Sequence, residues 1–324
     1  MRPFLAAAAV AVLSLAACSD GGRQETNSDT SGGGNAAGSS GYTVAFVTHE
    51  TPGDTFWDKV RAGAEQAAKD EGVTLKYSND PDAGKQAQLI QSAVDAKVNG
   101  IATTLVTPDA LAGAVKSATT AGIPVVGLNA GIDQYQKLGA LMYFGSDETV
   151  AGTSVGQRIA AAGAKHPLCV IHQTGSVSLE ARCAGVKSAV PGTENLQVNG
   201  ADDSAVTTTL QAKLAQDKSI DYVVTLGAPV ALDAINAKQQ ASSPAKIVTF
   251  DLNQEMAKRI KDGSVEFAID QQPYAQGYMA VSSLYLYLKN GNDLGGGKPV
   301  LTGPSFVDSA NIDKILPFTE KNTR

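Results

Sequence analysis

From Tyr42 to Phe318 the chain repeats one pattern: an apolar run of four to six residues, then an amphipathic segment, often closed by glycine. "YTVAFV" reads as a strand, and "TFWDKVRAGAEQAAKDEG" as a helix closed by Gly72. "VTLKYS" is the next strand, and "DAGKQAQLIQSAVDAKVNG" a helix closed by Gly100. In that helix Leu89, Ile90, Ala93, Val94 and Val98 fall on one face. Glycine just past a helix suits the left-handed residue that ends it. Apolar strands bounded by helices predict parallel sheets covered on both faces. The rhythm breaks near "KLGALMYFGSDETVAG", where a short strand ends at Gly145 and Asp147 is placed to cap a new helix. It then resumes through "PLCVIHQ", "LEARCAGVKSAV", "LQVNG", "DYVVTLG", "AKIVTFD" and "VEFAIDQ". The fold class expected is α/β, with two doubly wound parallel-sheet domains, a division that suits a globular length of about 280 residues. The long helix "YAQGYMAVSSLYLYLKNG" is expected to return to the first domain.

The N-terminus reads differently. "MRPFLAAAAVAVLSLAACSD" has one positive residue, Arg2, then an apolar run from Phe4 to Ala17. That run has the length of a signal-peptide core and is too short to span a bilayer. Leu15-Ala16-Ala17-Cys18 resembles the bacterial lipobox, in which the cysteine is lipidated and becomes the first mature residue. Residues 1–17 are therefore expected to be a lipoprotein signal peptide. Residues 18–41, with no aliphatic side chain larger than alanine up to Gly41, are expected to be a flexible tether. The protein is placed outside the cytoplasmic membrane, anchored by lipid at Cys18, because two or more acyl chains hold a protein stably.

Net charge is −6 with no basic run, which argues against nucleic acid and anionic membrane surfaces as partners. Beyond Cys18 only Cys169 and Cys183 remain. In an oxidising compartment two such residues favour a disulfide; two buried free thiols are the alternative. No third ligand stands near them at zinc spacing, so no metal is expected. The first strand-to-helix loop, "THETPGDTFW", lacks GxGxxG, and neither GxxxxGK[ST] nor GxSxG occurs. No cofactor and no catalytic residue is expected.

Several motifs, in order, resemble the type I periplasmic binding proteins of the ribose/galactose branch: "TPGDTFWDKVRAGAEQAAKDEGV", "VNGIATTLVTPDAL", "AGIPVVGLN", "FGSDETVAG", "IVTFD" and "KDGSVEFAIDQQPYAQG". The resemblance covers essentially all of Tyr42 to Phe318. It implies two domains joined by three crossovers, near Ser146, Gln272 and Pro304. One domain would then hold residues 42–146 and 273–303, the other residues 147–272 and 304–324. It also implies a monomeric receptor that closes on a monosaccharide and delivers it to an ABC permease with its own ATPase.

A sugar offers hydroxyls that need directed donors and acceptors, and apolar C–H faces that suit aromatic planes. Residues at the ends of parallel strands converge on the cleft of such a fold. The resemblance assigns Phe56 and Trp57 to the paired aromatics; packing in the core is the other reading. Asn129 ends "VVGLN", where relatives often have aspartate, and an amide both donates and accepts. Arg182 matches a second-domain arginine whose fork grips two oxygens, the alternative being a surface arginine. Asp251 matches the aspartate that accepts from two hydroxyls, and Gln271 a hinge-side glutamine. His49, Asp54 and Gln173 are secondary candidates, Asp54 also being placed to cap the first helix. His172 reads as satisfied within the fold, and Asp109 and Asp147 as helix caps. Ala130 and Gly227 depart from the ribose relatives, which points away from ribose toward a furanose or galactose-like sugar. A polyol, an autoinducer-like signal, a transporter-free sensor and a secreted hydrolase are the rival readings.

Overall fold

The computed structural model describes Met1 and residues 39–324. The expected leader, the lipidation at Cys18 and the tether through residue 38 lie outside the described residues. Among the described residues no helix is long and apolar enough to cross a membrane.

The first half of the chain runs β1 (Thr43–Thr48), α1 (Thr55–Glu71), β2 (Thr74–Asn79), α2 (Ala83–Asp95), β3 (Gly100–Thr104), α3 (Pro108–Thr120), β4 (Val125–Leu128), α4 (Tyr135–Leu138) and β5 (Met142–Ser146). The second continues with α5 (Glu148–Ala161), β6 (Pro167–Ile171), α6 (Val177–Ala189), β7 (Glu194–Gln197), α7 (Asp203–Gln216), β8 (Tyr222–Thr225), α8 (Ala228–Gln240), β9 (Lys246–Phe250), α9 (Gln254–Lys261) and β10 (Phe267–Asp270). Then come α10 (Pro273–Asn290), β11 (Val300–Gly303), β12 (Ser305–Asp308) and α11 (Ile312–Glu320).

These strands form two six-stranded sheets, ordered β11-β5-β4-β3-β1-β2 and β12-β10-β9-β8-β6-β7. Every pairing is parallel except β10 with β12. The chain passes between the sheets after β5, after β10, and between β11 and β12, where Pro304 alone separates the strands. The protein thus has two doubly wound α/β domains joined by three crossings.

Each sheet is covered on both faces, and the alternation of side chains along β1 shows why. Val44 and Phe46 pack toward α1 and α10 with Val60, Ala280 and Leu284. Ala45 and Val47 point the other way, toward Ile90, Leu111 and Val115 of α2 and α3. In the second domain Leu179 and Val186 of α6 cover one face of the sheet with Val155 and Ile159. Leu210, Ala234 and Ile260 cover the other.

Three local readings are corrected. Gly100 does not close α2. The helix ends at Asp95, Lys97 adopts φ 52°, and Gly100 opens β3. Asp109 is not a cap: Pro108, with φ preset for a first helical position, moves the cap to Thr107. The strand expected over "LQVNG" is shifted to Glu194–Gln197, so Asn199 and Gly200 form a loop over the end of β6. Asp147 does cap α5, its Oδ1 accepting from the Val150 N–H at 2.9 Å.

Candidate functional site

Five polar side chains stand one residue past a strand. They are His49 after β1, Asn129 after β4, His172 after β6, Asp251 after β9 and Gln271 after β10. Parallel strands point their carboxyl ends to the same edge, so these residues meet between the domains. Two of them turn inward on left-handed backbone, Asn129 at φ 62° and Asp251 at φ 68°. Asparagine and aspartate are the non-glycine residues that tolerate this region best.

The five line one cavity of about 760 Å³, joined there by Asp54, Phe56, Trp57, Gln173 and Arg182. The domains touch on both of its flanks: Val177 N–H donates to the Val106 carbonyl at 3.3 Å, and Asn253 Nδ2 to Thr55 Oγ1 at 3.3 Å. All nine residues singled out from the sequence therefore face one space. The reading of His172 as satisfied within the fold is corrected: it joins them in the cavity lining, and its Nδ1 has no partner among the described residues. The signal passed over was that "VIH" ends a strand as "TFD" does.

The two aromatic readings merge. Phe56 and Trp57 are buried in the first domain's core, and both also line the cavity. Their rings meet edge to face at 5.1 Å, and Trp57 also meets the His49 ring edge to face at 4.7 Å. Asp54 caps α1 through the Phe56 N–H at 3.0 Å, which fixes where the aromatic pair begins. Burial raises the Asp54 pKa, partly offset by that capping bond.

Arg182 is not a surface residue. It is 3% exposed, and its Nε donates to Glu148 Oε2 at 2.6 Å while Nη1 donates to the Leu226 carbonyl at 3.1 Å. Its guanidinium lies 4.4 Å above the Phe250 ring. Close approach of two helices makes the ion pair possible. A Cβ on Gly152 of α5 would fall on the Arg182 carbonyl oxygen of α6, so no other residue fits there. Burial raises the Glu148 pKa, with Arg182 opposing. The remaining guanidinium N–H groups are left for the cavity.

Asp251 accepts from Gln271 Nε2 at 2.5 Å. Burial pushes the Asp251 pKa up to about 7, with Arg182 and Gln271 pulling it down. The cluster continues into the crossings. Gln276 Nε2 donates to the Gln271 carbonyl at 3.0 Å and to Thr302 Oγ1 at 3.2 Å, and Asn129 Nδ2 donates to Gln276 Oε1 at 3.4 Å. The site thus offers acceptors at Asp251 and Asp54, donors at Arg182, amides at Asn129 and Gln271, and an apolar wall.

Cys169 of β6 and Cys183 of α6 are joined by a disulfide, their Cα atoms 5.8 Å apart. The bond ties α6, one residue from Arg182, to the sheet beneath it.

Comparison with known proteins agrees with this architecture. A solved carbohydrate transporter of Acidothermus cellulolyticus, in complex with myo-inositol, is 56% identical, with a TM-score of 0.86 over 87% of this chain and 99% of that one. The xylose/arabinose-binding protein of Sulfolobus acidocaldarius is 26% identical over 296 residues, 85% of this chain and 73% of the relative. An ABC transporter solute-binding protein of Agrobacterium vitis with bound D-fucose, 24% identical, shares the fold with a TM-score of 0.77 over 87% of this chain and 99% of that one. Residues 44–293 match the family described as the periplasmic binding protein domain, and the chain belongs to that family of solute-binding transport proteins, not enzymes.

Proposed function

We propose that the protein is the extracytoplasmic receptor of an ABC importer and closes on a small, neutral, polyhydroxylated ring, with myo-inositol the first candidate. The observation that carries this is the cavity itself. Carboxylate, guanidinium and amide groups on the two domains converge there beside an aromatic wall. Such a set suits a ring with hydroxyls around its rim and C–H bonds on its faces. Among the described residues that line the cavity Arg182 is the one lysine or arginine, and Glu148 pairs with it, which suits a neutral ligand. The identity to the Acidothermus protein supports a cyclic polyol over a ribose-like sugar. A pentose is the second reading, supported by the Sulfolobus relative.

Residues 42–146 with 273–303, and 147–272 with 304–324, act as the two lobes, and a lipid at Cys18 tethers them to the membrane. The bound ligand touches both lobes only when they close, so it shifts the population toward that form, which docks on the permease.

Isothermal titration with myo-inositol, D-xylose, L-arabinose and D-galactose tests the reading, with fluorescence of Trp57, the sole tryptophan, as a second signal. Micromolar or tighter binding of myo-inositol with a change in Trp57 emission is expected. If none of the four binds, the reading is wrong.

A further inference from the structure

His172 stands in a space that two glycines leave open. A Cβ on Gly227, in the loop after β8, would come within 3.3 Å of His172 Cε1 and 3.6 Å of Nε2. A Cβ on Gly200 would meet the His172 carbonyl oxygen at 2.8 Å and its Cβ at 3.0 Å. The Gly200 N–H donates to that same carbonyl at 3.0 Å. Backbone and ring of His172 are therefore approached from two sides, and a side chain at 227 would crowd the ring at Cε1. The ring is only partly enclosed and lines the cavity. Its Nδ1 is buried and has no partner among the described residues, which leaves Nε2 as the ring nitrogen open to the cavity. An imidazole nitrogen that gives up water on ligand binding needs a partner from the ligand in return.

His49 faces the same cavity from the first domain, and its tautomer follows from its neighbours. Gln86 Nε2 donates to the Thr104 carbonyl at 2.9 Å, which fixes that atom as the nitrogen, and also to Thr104 Oγ1 at 3.0 Å. Thr104 is fully buried, and His49 Nδ1, 2.7 Å from its Oγ1, is the acceptor placed for the hydroxyl proton. His49 therefore carries its proton on Nε2. Burial holds both rings neutral: it lowers His49 to about 3, with His172 adding to the effect, and His172 to about 4, with Arg182 adding. A neutral imidazole offers one donor and one acceptor, which matches a hydroxyl group.

We propose that His172 and His49 form a pair of ligand-reading imidazoles, one from each domain, which select among stereoisomeric polyols by exchanging hydrogen bonds with ring hydroxyls. The pair rests on the receptor reading above and deepens it. An axial or equatorial hydroxyl presents its lone pairs in different directions, and a ring wedged against Gly227 has little freedom to follow. A site built to hydrogen-bond a hydroxyl rejects an isomer that leaves its nitrogen unpaired.

The chain has three histidines, so ¹⁵N-histidine NMR of the full protein resolves each of them. His166, bonded to Ser219 Oγ at 2.7 Å on the second domain away from the cavity, is the internal control. In the free protein His49 should show the Nε2–H tautomer at pH 7. Addition of myo-inositol should move the nitrogens of His49 and His172 and leave His166 unchanged. In titration, His172→Leu should weaken myo-inositol at least tenfold and reduce discrimination between myo-inositol and scyllo-inositol to within about threefold. His172→Asn should keep part of both, and Gly227→Ala, which crowds the ring at Cε1, should weaken binding by less than His172→Leu does. Wild type that binds while both histidines stay silent in the spectrum overturns the pair and leaves the receptor reading standing. So does a folded His172→Leu protein with wild-type affinity and selectivity. Wild type that binds no probe overturns both.

Discussion

Asp251 concentrates the conflict between stability and binding in one carboxyl group. In the unfolded chain it ionises near its ordinary value of 3.8; in the fold burial delays this to about 7. Well below pH 3.8 the group is protonated in both states and costs nothing. As pH rises from 4 to 7 the unfolded state gains by ionising first, so the empty protein loses stability through this window, and above it the loss is complete. Asp251→Asn removes the titration while keeping an oxygen for Gln271. Thermal melts of the empty variant should show a higher Tm than wild type at pH 8 and nearly the same Tm at pH 4. Ligand binding should fall on the order of tenfold to a hundredfold, the worth of a charge-assisted hydrogen bond of about 1.5–3 kcal/mol. Equal melting points at pH 8 would contradict the buried, reluctant carboxyl. At this scale the sequence was informative where a polar residue followed an apolar run, as at Asn129, Asp251 and Gln271. It was silent on the seating of the His172 ring, which Gly200 and Gly227 approach from two distant loops. It was equally silent on the Glu148 partner of Arg182, because the pair is made by two helices meeting at Gly152.

Among the elements, α6 carries the most at the site. Its first turn is capped by Ser176, its Arg182 enters the cavity, and its Cys183 is bonded to β6. Closing a loop of this length removes unfolded-state entropy worth about 3 kcal/mol in the chain-entropy model. Reduction, or the Cys169→Ser/Cys183→Ser double change, should lower unfolding free energy by about 2–3 kcal/mol in urea titration, with the secondary structure by circular dichroism unchanged. A change below about 0.5 kcal/mol would mean that the unfolded chain is no freer without the bond. Element type was legible almost throughout, because the unbroken apolar run of β1 and the amphipathic periodicity along α2 are local patterns. Boundaries failed where a non-local contact decided them. Gly100 belongs to β3 because it pairs with Val44 across the sheet, and the left-handed turn falls on Lys97 instead.

For the whole molecule, the decisive property is that the cavity lies between two domains, which touch beside it at Val106–Val177 and Thr55–Asn253. Domains joined by crossing segments move relative to one another unless a large apolar interface locks them. Small-angle scattering should therefore give a larger radius of gyration for the ligand-free protein than for the saturated one, and Trp57 emission should follow the same titration curve. Identical scattering in both states would argue for a rigid pocket and against a closing receptor. The two-domain division was legible from the break near residue 146 and from the family resemblance. The flanking contacts were not, since they join segments that no local pattern relates.

The interleaved path of the chain has a consequence for how the protein is made. β11 edges the first sheet and α10 covers one of its faces, yet both are synthesised only after all of β6 to β10. Until α10 has emerged, the first half presents Val44, Phe46 and Phe144 with α1 but not α10 over them. A half-covered apolar sheet is prone to aggregate. Such a surface stays open to a holdase for longer here than in a protein whose halves are completed one after the other.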